Sequence, residues 1–183
     1  MNIIHIVPAA NHAFYASQNQ QMVMALTHLV ETDEEYACWM HNYRGYKILD
    51  NSLIELGGAL EIERVWEAAQ RIDADEIILP DVFLDGERTL RAVDASLERL
   101  AHLDSHYNTN GGIRYMAVCQ GVDVREFEQT YRKLENYGEI EVIGIPKVCA
   151  KLHPAGRPAF QHLWQHSTQT IHLLGLWYSW SEV

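Results

Sequence analysis

Short apolar runs recur along the chain, and each ends in polar or glycine residues before a helical stretch begins. The runs and their polar ends lie at residues 47–52, 77–81, 115–121, 142–147 and 171–176. Between them, apolar residues return at three- and four-residue spacing, as at Leu90, Val93, Leu97 and Leu100. Such spacing is typical of helices with one buried face. The alternation predicts an α/β fold with a parallel sheet and right-handed crossovers.

The pattern predicts individual elements along the whole chain. Helices are expected at residues 18–30, 62–69, 87–103, 124–134 and 160–166. Strands are expected at residues 2–7, 76–79, 115–118, 141–145 and 171–174, with one further strand at either 36–41 or 46–49. Residues 42–45 are typical of a turn, so the segments 36–41 and 46–49 could also form the two strands of a hairpin. Residues 149–157 are expected to be irregular.

The length limits the architecture to one incomplete barrel or an open sheet. An eight-stranded βα barrel takes about 250 residues, whereas this chain has 183. We therefore predict a single domain over residues 1–183, a TIM-barrel-like parallel βα repeat that is incomplete and has about six βα units. Ligands of such folds bind at the carboxyl ends of the strands.

Composition excludes several classes of protein. Apolar residues make up 48% and charged residues 21%, which is ordinary for a globular domain. No apolar run is long enough to cross a bilayer, so we expect no membrane partner and a cytoplasmic location. The three cysteines lie far apart and have no metal-site spacing. The sequence also contains no glycine-rich motif for binding dinucleotides or triphosphates. It therefore predicts no metal and no cofactor.

The net charge is −11. Proteins that bind nucleic acid usually gain affinity from clustered Lys and Arg, which release counterions from the phosphates. The acidic net charge therefore disfavours nucleic acid as a partner without excluding it.

Two carboxylates end predicted neighbouring strands. Asp50 follows the run at 47–49 and Asp81 follows the run at 77–79. At one edge of a parallel sheet the two could converge on a ligand and share general acid and base roles. Each could equally cap the helix that follows, because Asp is a favoured N-cap residue. The residues alone leave both roles open.

Further strand ends carry residues suited to a flat ligand. Gln120 offers a carboxamide that both donates and accepts in one plane, and Gly121 beside it permits close approach of the backbone. Gly144 and Gly175 would leave space beside a ring, although glycine in a strand also marks a bulge or tight packing. Together these residues suit the reading of a purine edge.

Five motifs in this order resemble one known family. They are Leu-Asp-Asn-Ser (49–52), Leu-Pro-Asp-Val (79–82), Cys-Gln-Gly (119–121), Ile-Gly-Ile-Pro (143–146) and Leu-Leu-Gly (173–175). The set is similar to the tRNA-guanine transglycosylase superfamily, especially the short phage relatives that place 7-deazaguanines in DNA. The resemblance extends over residues 45–176, which is most of the chain.

The resemblance implies roles for the first motifs. Asp50 matches the family's general acid/base, with Asn51 and Ser52 beside it as ligand contacts. Asp81 matches the aspartate that reads the edge of the guanine or deazaguanine ring. Gln120 and Gly121 match a Gln-Gly pair that contacts the base.

The later motifs match less closely. Gly144 falls in the region of the family's Gly-Gly-Leu loop, where this chain has Ile145 and Pro146. We also assign Lys147 and Gly175 to ligand binding, since they stand at the ends of the last two predicted strands.

Two functions follow from the resemblance. The first is a transglycosylase, a pentosyltransferase that exchanges guanine for a 7-deazaguanine in nucleic acid. The second is a non-catalytic protein of phage type that sequesters a purine or 7-deazapurine base or nucleotide in the host cytoplasm. The family's nucleophilic aspartate lies on the strand after the Leu-Leu-Gly segment, and no aspartate follows that segment here, so we expect the nucleophile to be missing. A structural remnant with neither function is the third alternative.

An incomplete barrel would leave strand edges uncovered, and soluble proteins normally pair or cover such edges. We therefore expect a homo-oligomer, in which Trp177, Tyr178 and Trp180 pack on a partner or across the open side. Packing of these rings inside their own subunit is the alternative.

Overall fold

The computed structural model describes residues 5–11, 14, 21–107 and 112–175. The chain divides into two compact units. The first comprises residues up to 78 together with 99–114, and the second comprises residues 79–98 and those from 115 onward. The expected single domain stays a prediction.

The first unit contains four parallel strands in chain order. They are β1 (His5–Ile6), β2 (Met22–Leu26), β3 (Tyr46–Asp50) and β4 (Glu76–Ile78). The α-helices within it are α1 (Thr27–Thr32), α2 (Glu34–Asn42), α3 (Leu53–Leu56) and α4 (Ile62–Ile72). A 3₁₀ turn, Ala9–Asn11, follows β1. Because the register pairs Leu26 with Asp50, the carboxyl ends of β2 and β3 lie level with each other.

Burial explains the helices of this unit. One face of α4 carries the buried Ile62, Val65, Trp66 and Ala69, which is the stripe that the sequence pattern predicts. The helix α2 begins where the Asp33 side chain accepts a hydrogen bond from the Tyr36 backbone N at 3.0 Å. This contact satisfies one of the unpaired N–H groups of the first turn.

One sequence prediction in this unit is wrong, and one pair of alternatives is resolved. Residues 22–26 of the expected helix at 18–30 form β2, while residues 18–20 lie outside the described part of the chain. Val23 through Leu26 are buried as a continuous run, and a short run of this kind has no periodicity that separates strand from helix. Of the two alternatives for the next strand, 46–49 is confirmed as part of β3 and 36–41 lies in α2. The hairpin left open between them does not form, and β3 pairs with β2 in parallel.

The second unit contains three parallel strands in chain order. They are β5 (Arg114–Val118), whose first residue belongs to the first unit, β6 (Val142–Pro146) and β7 (Thr170–Leu174). Its helices are the first part of α5 (Gly86–Tyr107), then α6 (Val124–Leu134) and α7 (Gln161–Trp164). The segment expected to be irregular, residues 149–157, overlaps a 3₁₀ turn at each end, Lys147–Lys151 and Arg157–Phe160. The buried rings of Phe127 and Phe160 pack with their centroids 4.9 Å apart.

The predicted fold class is confirmed. Parallel strands alternate with helices through both units, as in an incomplete repeat of the TIM-barrel type. The described residues hold seven strands instead of about six, and the additional one is β2. Among these residues, no helix has both the length and the hydropathy that a bilayer crossing requires. The cytoplasmic location stays a prediction.

Candidate functional site

A buried hydrogen bond joins two of the predicted site residues in the second unit. The Gln120 Nε2 donates to Asp81 Oδ2 at 2.7 Å, and the two residues are 3% and 4% exposed. The Leu84 backbone N donates to Gln120 Oε1 at 3.1 Å. These two bonds set the orientation of the carboxamide, with its amide nitrogen toward Asp81 and its oxygen toward Leu84. We call Asp81 and Gln120 the acid–amide pair.

The acid–amide pair offers a defined set of polar groups. A buried carboxyl group is costly unless hydrogen bonds satisfy it, and the Gln120 amide supplies one. A carboxylate accepts several hydrogen bonds, and the carboxamide nitrogen carries two hydrogens. Side by side, these groups suit a planar ligand whose edge carries both donors and an acceptor.

Side chains outside the pair hold the loops on which it stands. The Thr89 hydroxyl accepts from the Val82 backbone N at 2.9 Å in the loop after β4. The two oxygens of Glu126 accept from the backbone N atoms of Gly86, at 2.9 Å, and Val122, at 2.8 Å. Glu126 therefore joins the first turn of α5 to the loop after β5. The sequence pattern gave Glu126 no role at the site.

Two of the predicted glycines have packing roles. A Cβ on Gly121 would lie 2.5 Å from the Phe127 backbone N. A Cβ on Gly144 would lie 2.8 Å from a methyl carbon of Leu174 and 3.2 Å from the Met116 sulfur. Gly121 is thus required for local packing, because a side chain there would collide with backbone, whereas at Gly144 the neighbouring side chains would have to shift. Their predicted contact with a ligand stays a prediction.

The last two strands of the second unit bring Lys147 and Gly175 together. Lys147 is exposed and follows β6 directly. Gly175 follows β7 with a left-handed φ of 67°, and a Cβ there would lie 3.1 Å from Lys147 Cδ. Arg157 is buried next to the same strand end. Its Nη2 donates to the Gly175 carbonyl oxygen at 2.7 Å and also to the carbonyl oxygen of Leu174.

The first unit holds the remaining predicted residues, Asp50, Asn51 and Ser52. Asp50 Oδ1 accepts from the Ser52 backbone N at 2.7 Å, and Asn51 Oδ1 accepts from the Leu53 backbone N at 3.0 Å. Both are local turns of the kind that Asp and Asn side chains form before helices. Asp50 thus forms a turn but does not cap the helix that follows, because Ser52 occupies the N-cap position of α3, and its side chain makes no capping hydrogen bond there. The acid/base role of Asp50 stays a prediction.

Ser52 links this turn to a residue that sequence reasoning missed. Its Oγ lies 2.9 Å from His28 Nδ1 and accepts from the His28 backbone N at 3.3 Å. The Thr27 hydroxyl donates to the Asp50 carbonyl oxygen at 2.6 Å. Thr27 and His28 begin α1 directly after β2, so recognising residues 22–26 as a strand would have placed them at the same sheet edge as Asp50.

Arg157 is the other residue that sequence reasoning missed. The available signal is its place in a segment that contains no Asp or Glu, residues 142–175. For metals, the described ranges contain no group of three or more His, Cys, Asp or Glu side chains that could hold an ion.

The polar strand ends therefore form three local clusters: the acid–amide pair, the Lys147–Gly175 contact and the Asp50–Ser52 turn. Comparison with known proteins assigns no family to this chain. No protein-family model matches the sequence, and no curated protein matches it significantly.

Proposed function

We propose that this chain is a transglycosylase-like protein that exchanges guanine for a 7-deazaguanine in nucleic acid. Asp81 and Gln120 read the base, and Asp50 is the general acid/base. The observation that carries the proposal is the buried hydrogen bond of the acid–amide pair, 2.7 Å from Gln120 Nε2 to Asp81 Oδ2.

The acid–amide pair complements the edge of a guanine-type ring. That edge carries the ring N–H and the exocyclic amino group as donors, next to a carbonyl oxygen that accepts. The Asp81 carboxylate can accept from the two donors, while the second hydrogen of the Gln120 amide can reach the carbonyl oxygen. Because 7-deazaguanines keep this edge, the same pair would accept the departing and the entering base.

Because the acid–amide pair is buried, we expect it to discriminate between bases with different hydrogen-bonding edges. A ligand without matching donors would leave a buried carboxyl group without its hydrogen bonds, and such a mismatch costs more than a matched bond gains. Sites built on buried hydrogen bonds can reject the wrong analogue by about 10⁴-fold. We therefore expect strong preference for guanine-type bases over adenine.

The role of Asp50 rests on the family resemblance. Its Oδ1 is held by the Ser52 backbone N, which fixes the orientation of the carboxyl group. A positioned carboxyl group is what general acid/base catalysis requires.

A second function, sequestration of a purine base or nucleotide without chemistry, is favoured by one observation. The net charge of −11 opposes tight binding to a polyanion. A free base or a single nucleotide carries far fewer phosphates, so this charge penalises it less.

Exchange of radiolabelled guanine into DNA and tRNA tests the proposal. The wild-type chain should incorporate the label, and Asp50→Asn should lower the rate at least about 100-fold while guanine binding persists. Asp73→Asn is the matched control, because Asp73 is exposed in the same unit and its left-handed backbone (φ 51°) tolerates Asn. This variant should exchange at the wild-type rate.

Titration with guanine tests the base-reading role separately. Asp81→Asn keeps the side chain's size but replaces an accepting oxygen with a donor, so guanine affinity should fall at least about tenfold. Unchanged affinity in this variant would refute the assignment of Asp81. Tight binding of guanine without any exchange would support the second function instead of the first.

A further inference from the structure

The distribution of charge singles out one segment of the chain. Residues 142–175 contain three of the chain's 14 Lys and Arg residues and none of its 25 Asp and Glu residues. The three are Lys147, Lys151 and Arg157. In a protein with a net charge of −11, this segment is a local region of positive charge.

The fold places this charge at a strand end. The segment consists of β6, β7 and the connection between them, and Lys147 follows the last residue of β6. In parallel βα folds the loops at the carboxyl ends of the strands bind ligands, and those of the last strands frequently bind phosphate.

The backbone at the end of β7 is exposed next to Lys147. Gly175 is exposed, and the aliphatic stem of Lys147 passes over it, with Lys147 Cδ 3.1 Å from the position a Cβ would take. A side chain at Gly175 would meet this stem and strain the left-handed backbone. Glycine at this position therefore lets the Lys147 stem lie against the end of β7.

Arg157 supports this arrangement from inside the unit. Its guanidinium is buried and donates to the carbonyl oxygens of Leu174 and Gly175, which ties the end of β7 in place. Because a guanidinium stays protonated at every relevant pH, it also adds permanent positive charge beneath Gly175. Arg157 is therefore a positioning residue that also contributes to the potential.

Within the second unit, the spacing between neighbouring strands gives the distance from this strand end to the acid–amide pair. Gln120 lies two residues after β5, and β5, β6 and β7 are consecutive neighbours. Two strand spacings amount to about 10 Å. This is comparable to the reach of a nucleoside monophosphate from the reading edge of its base to its phosphate.

We propose that Lys147 and the backbone of Gly175, braced by Arg157, form a phosphate subsite, so that the ligand is a purine nucleotide unit and not a free base. The identity of the base in this inference rests on the proposed function. A free nucleotide and a nucleotide within a strand both carry a phosphate ester. The experiment distinguishes these two ligands.

Calorimetric titration with guanosine and with GMP tests the subsite. The wild-type chain should bind GMP at least about tenfold more tightly than guanosine, because charge-assisted hydrogen bonds to phosphate are strong. Lys147→Gln should reduce this preference to less than about twofold without changing the affinity for guanosine. Lys151→Gln removes the same charge from the same 3₁₀ turn and should keep the preference. A guanine-containing oligonucleotide that binds more weakly than GMP would assign the subsite to free nucleotides, and tighter binding would assign it to strands.

The outcomes separate the two proposals. Equal affinity for GMP and guanosine, both lost in Asp81→Asn, would overturn the phosphate subsite and leave the base-reading role intact. If neither ligand binds, the proposed function is wrong, and inorganic phosphate then tests the subsite alone by amide NMR. Shifts at Lys147 and Gly175 that vanish in Lys147→Gln would uphold the subsite, while their absence in the wild-type chain would overturn it.

Discussion

At the scale of single residues, Glu126 is the side chain on which the geometry of the acid–amide pair depends. It accepts hydrogen bonds from Gly86 in the first turn of α5 and from Val122 in the loop after β5. Asp81 precedes α5 and Gln120 stands in the loop after β5, so the Glu126 carboxylate helps to fix their relative position.

Glu126→Gln should destabilise the protein and weaken base binding together. Glu126 accepts from the backbone N atoms of Gly86 and Glu87 with Oε1 and from that of Val122 with Oε2. An amide has one accepting oxygen where the carboxylate has two, so the N–H groups on one side lose their partner, at a cost of about 1–2 kcal/mol per lost bond. Urea unfolding and guanine titration measure the two effects. Glu128→Gln on the same helix is the control, since the Glu128 carboxyl is half-exposed and lies 3.4 Å from His162 Nε2, so its loss should change stability by less than about 0.5 kcal/mol. Equal behaviour of the two variants would contradict the role of Glu126.

Burial of His172 in β7 predicts a pH dependence of stability. Desolvation lowers the pKa of His172 from 6.5 to about 4. The unfolded chain therefore takes up a proton at a higher pH than the folded chain does. The resulting stability is fully present above pH 6.5 and is lost as the pH falls toward 4, by up to about 1.4 kcal/mol per pH unit.

Substitution isolates the contribution of His172. The difference in unfolding free energy between the wild-type chain and His172→Gln should change steadily between pH 6.5 and 4 and stay constant above that window. His162→Gln, which removes a histidine from an exposed position, is the comparison. A constant difference for His172→Gln across all pH values would show that the histidine titrates normally in the folded state.

At the scale of elements, the start of α1 depends on a residue from another segment. The helix follows β2 without a turn, so Leu26 occupies its N-cap position and provides no capping side chain. Ser52 supplies the missing acceptor through its contact with the His28 backbone N. Its own backbone is left-handed at φ 60°, a conformation held by the turns of Asp50 and Asn51.

Ser52→Ala should therefore destabilise the first unit by about 1–3 kcal/mol, because the His28 backbone N–H and the His28 ring both lose their partner. Chemical unfolding monitored by circular dichroism measures the loss. Thr32→Ala is a suitable comparison, since the Thr32 hydroxyl donates to the His28 carbonyl oxygen from an exposed position. A loss in Ser52→Ala no larger than in Thr32→Ala would rule out the capping role.

At the scale of the whole molecule, the arrangement of charge is more informative than its total. A net charge of −11 disfavours nucleic acid as a partner, but the acid-free segment 142–175 holds basic residues at a strand end where a ligand could meet them. The expected homo-oligomer stays a prediction, and Trp177, Tyr178 and Trp180 lie outside the described residues.

The amphipathic helices and most strands could be predicted from the sequence, because burial imposes a local period that the residues display. Gln120 and Asp81 could be found in the same way, since each stands where an apolar run ends. The strand β2 could not be distinguished from a helix, because a run buried on both faces has no period. With β2 misassigned, Thr27 and His28 could not be placed at the sheet edge.

The sequence by itself determined the fold class, the positions of the polar strand ends and the uneven charge of the chain. These depend on local patterns of apolar, polar and charged residues. Only the tertiary structure decided which side chains meet: Gln120 with Asp81, Ser52 with His28, and Arg157 with the end of β7. Such contacts join residues up to 39 positions apart in the case of Gln120 and Asp81. Their partners are selected by strand register and burial, and no local pattern of residues encodes them.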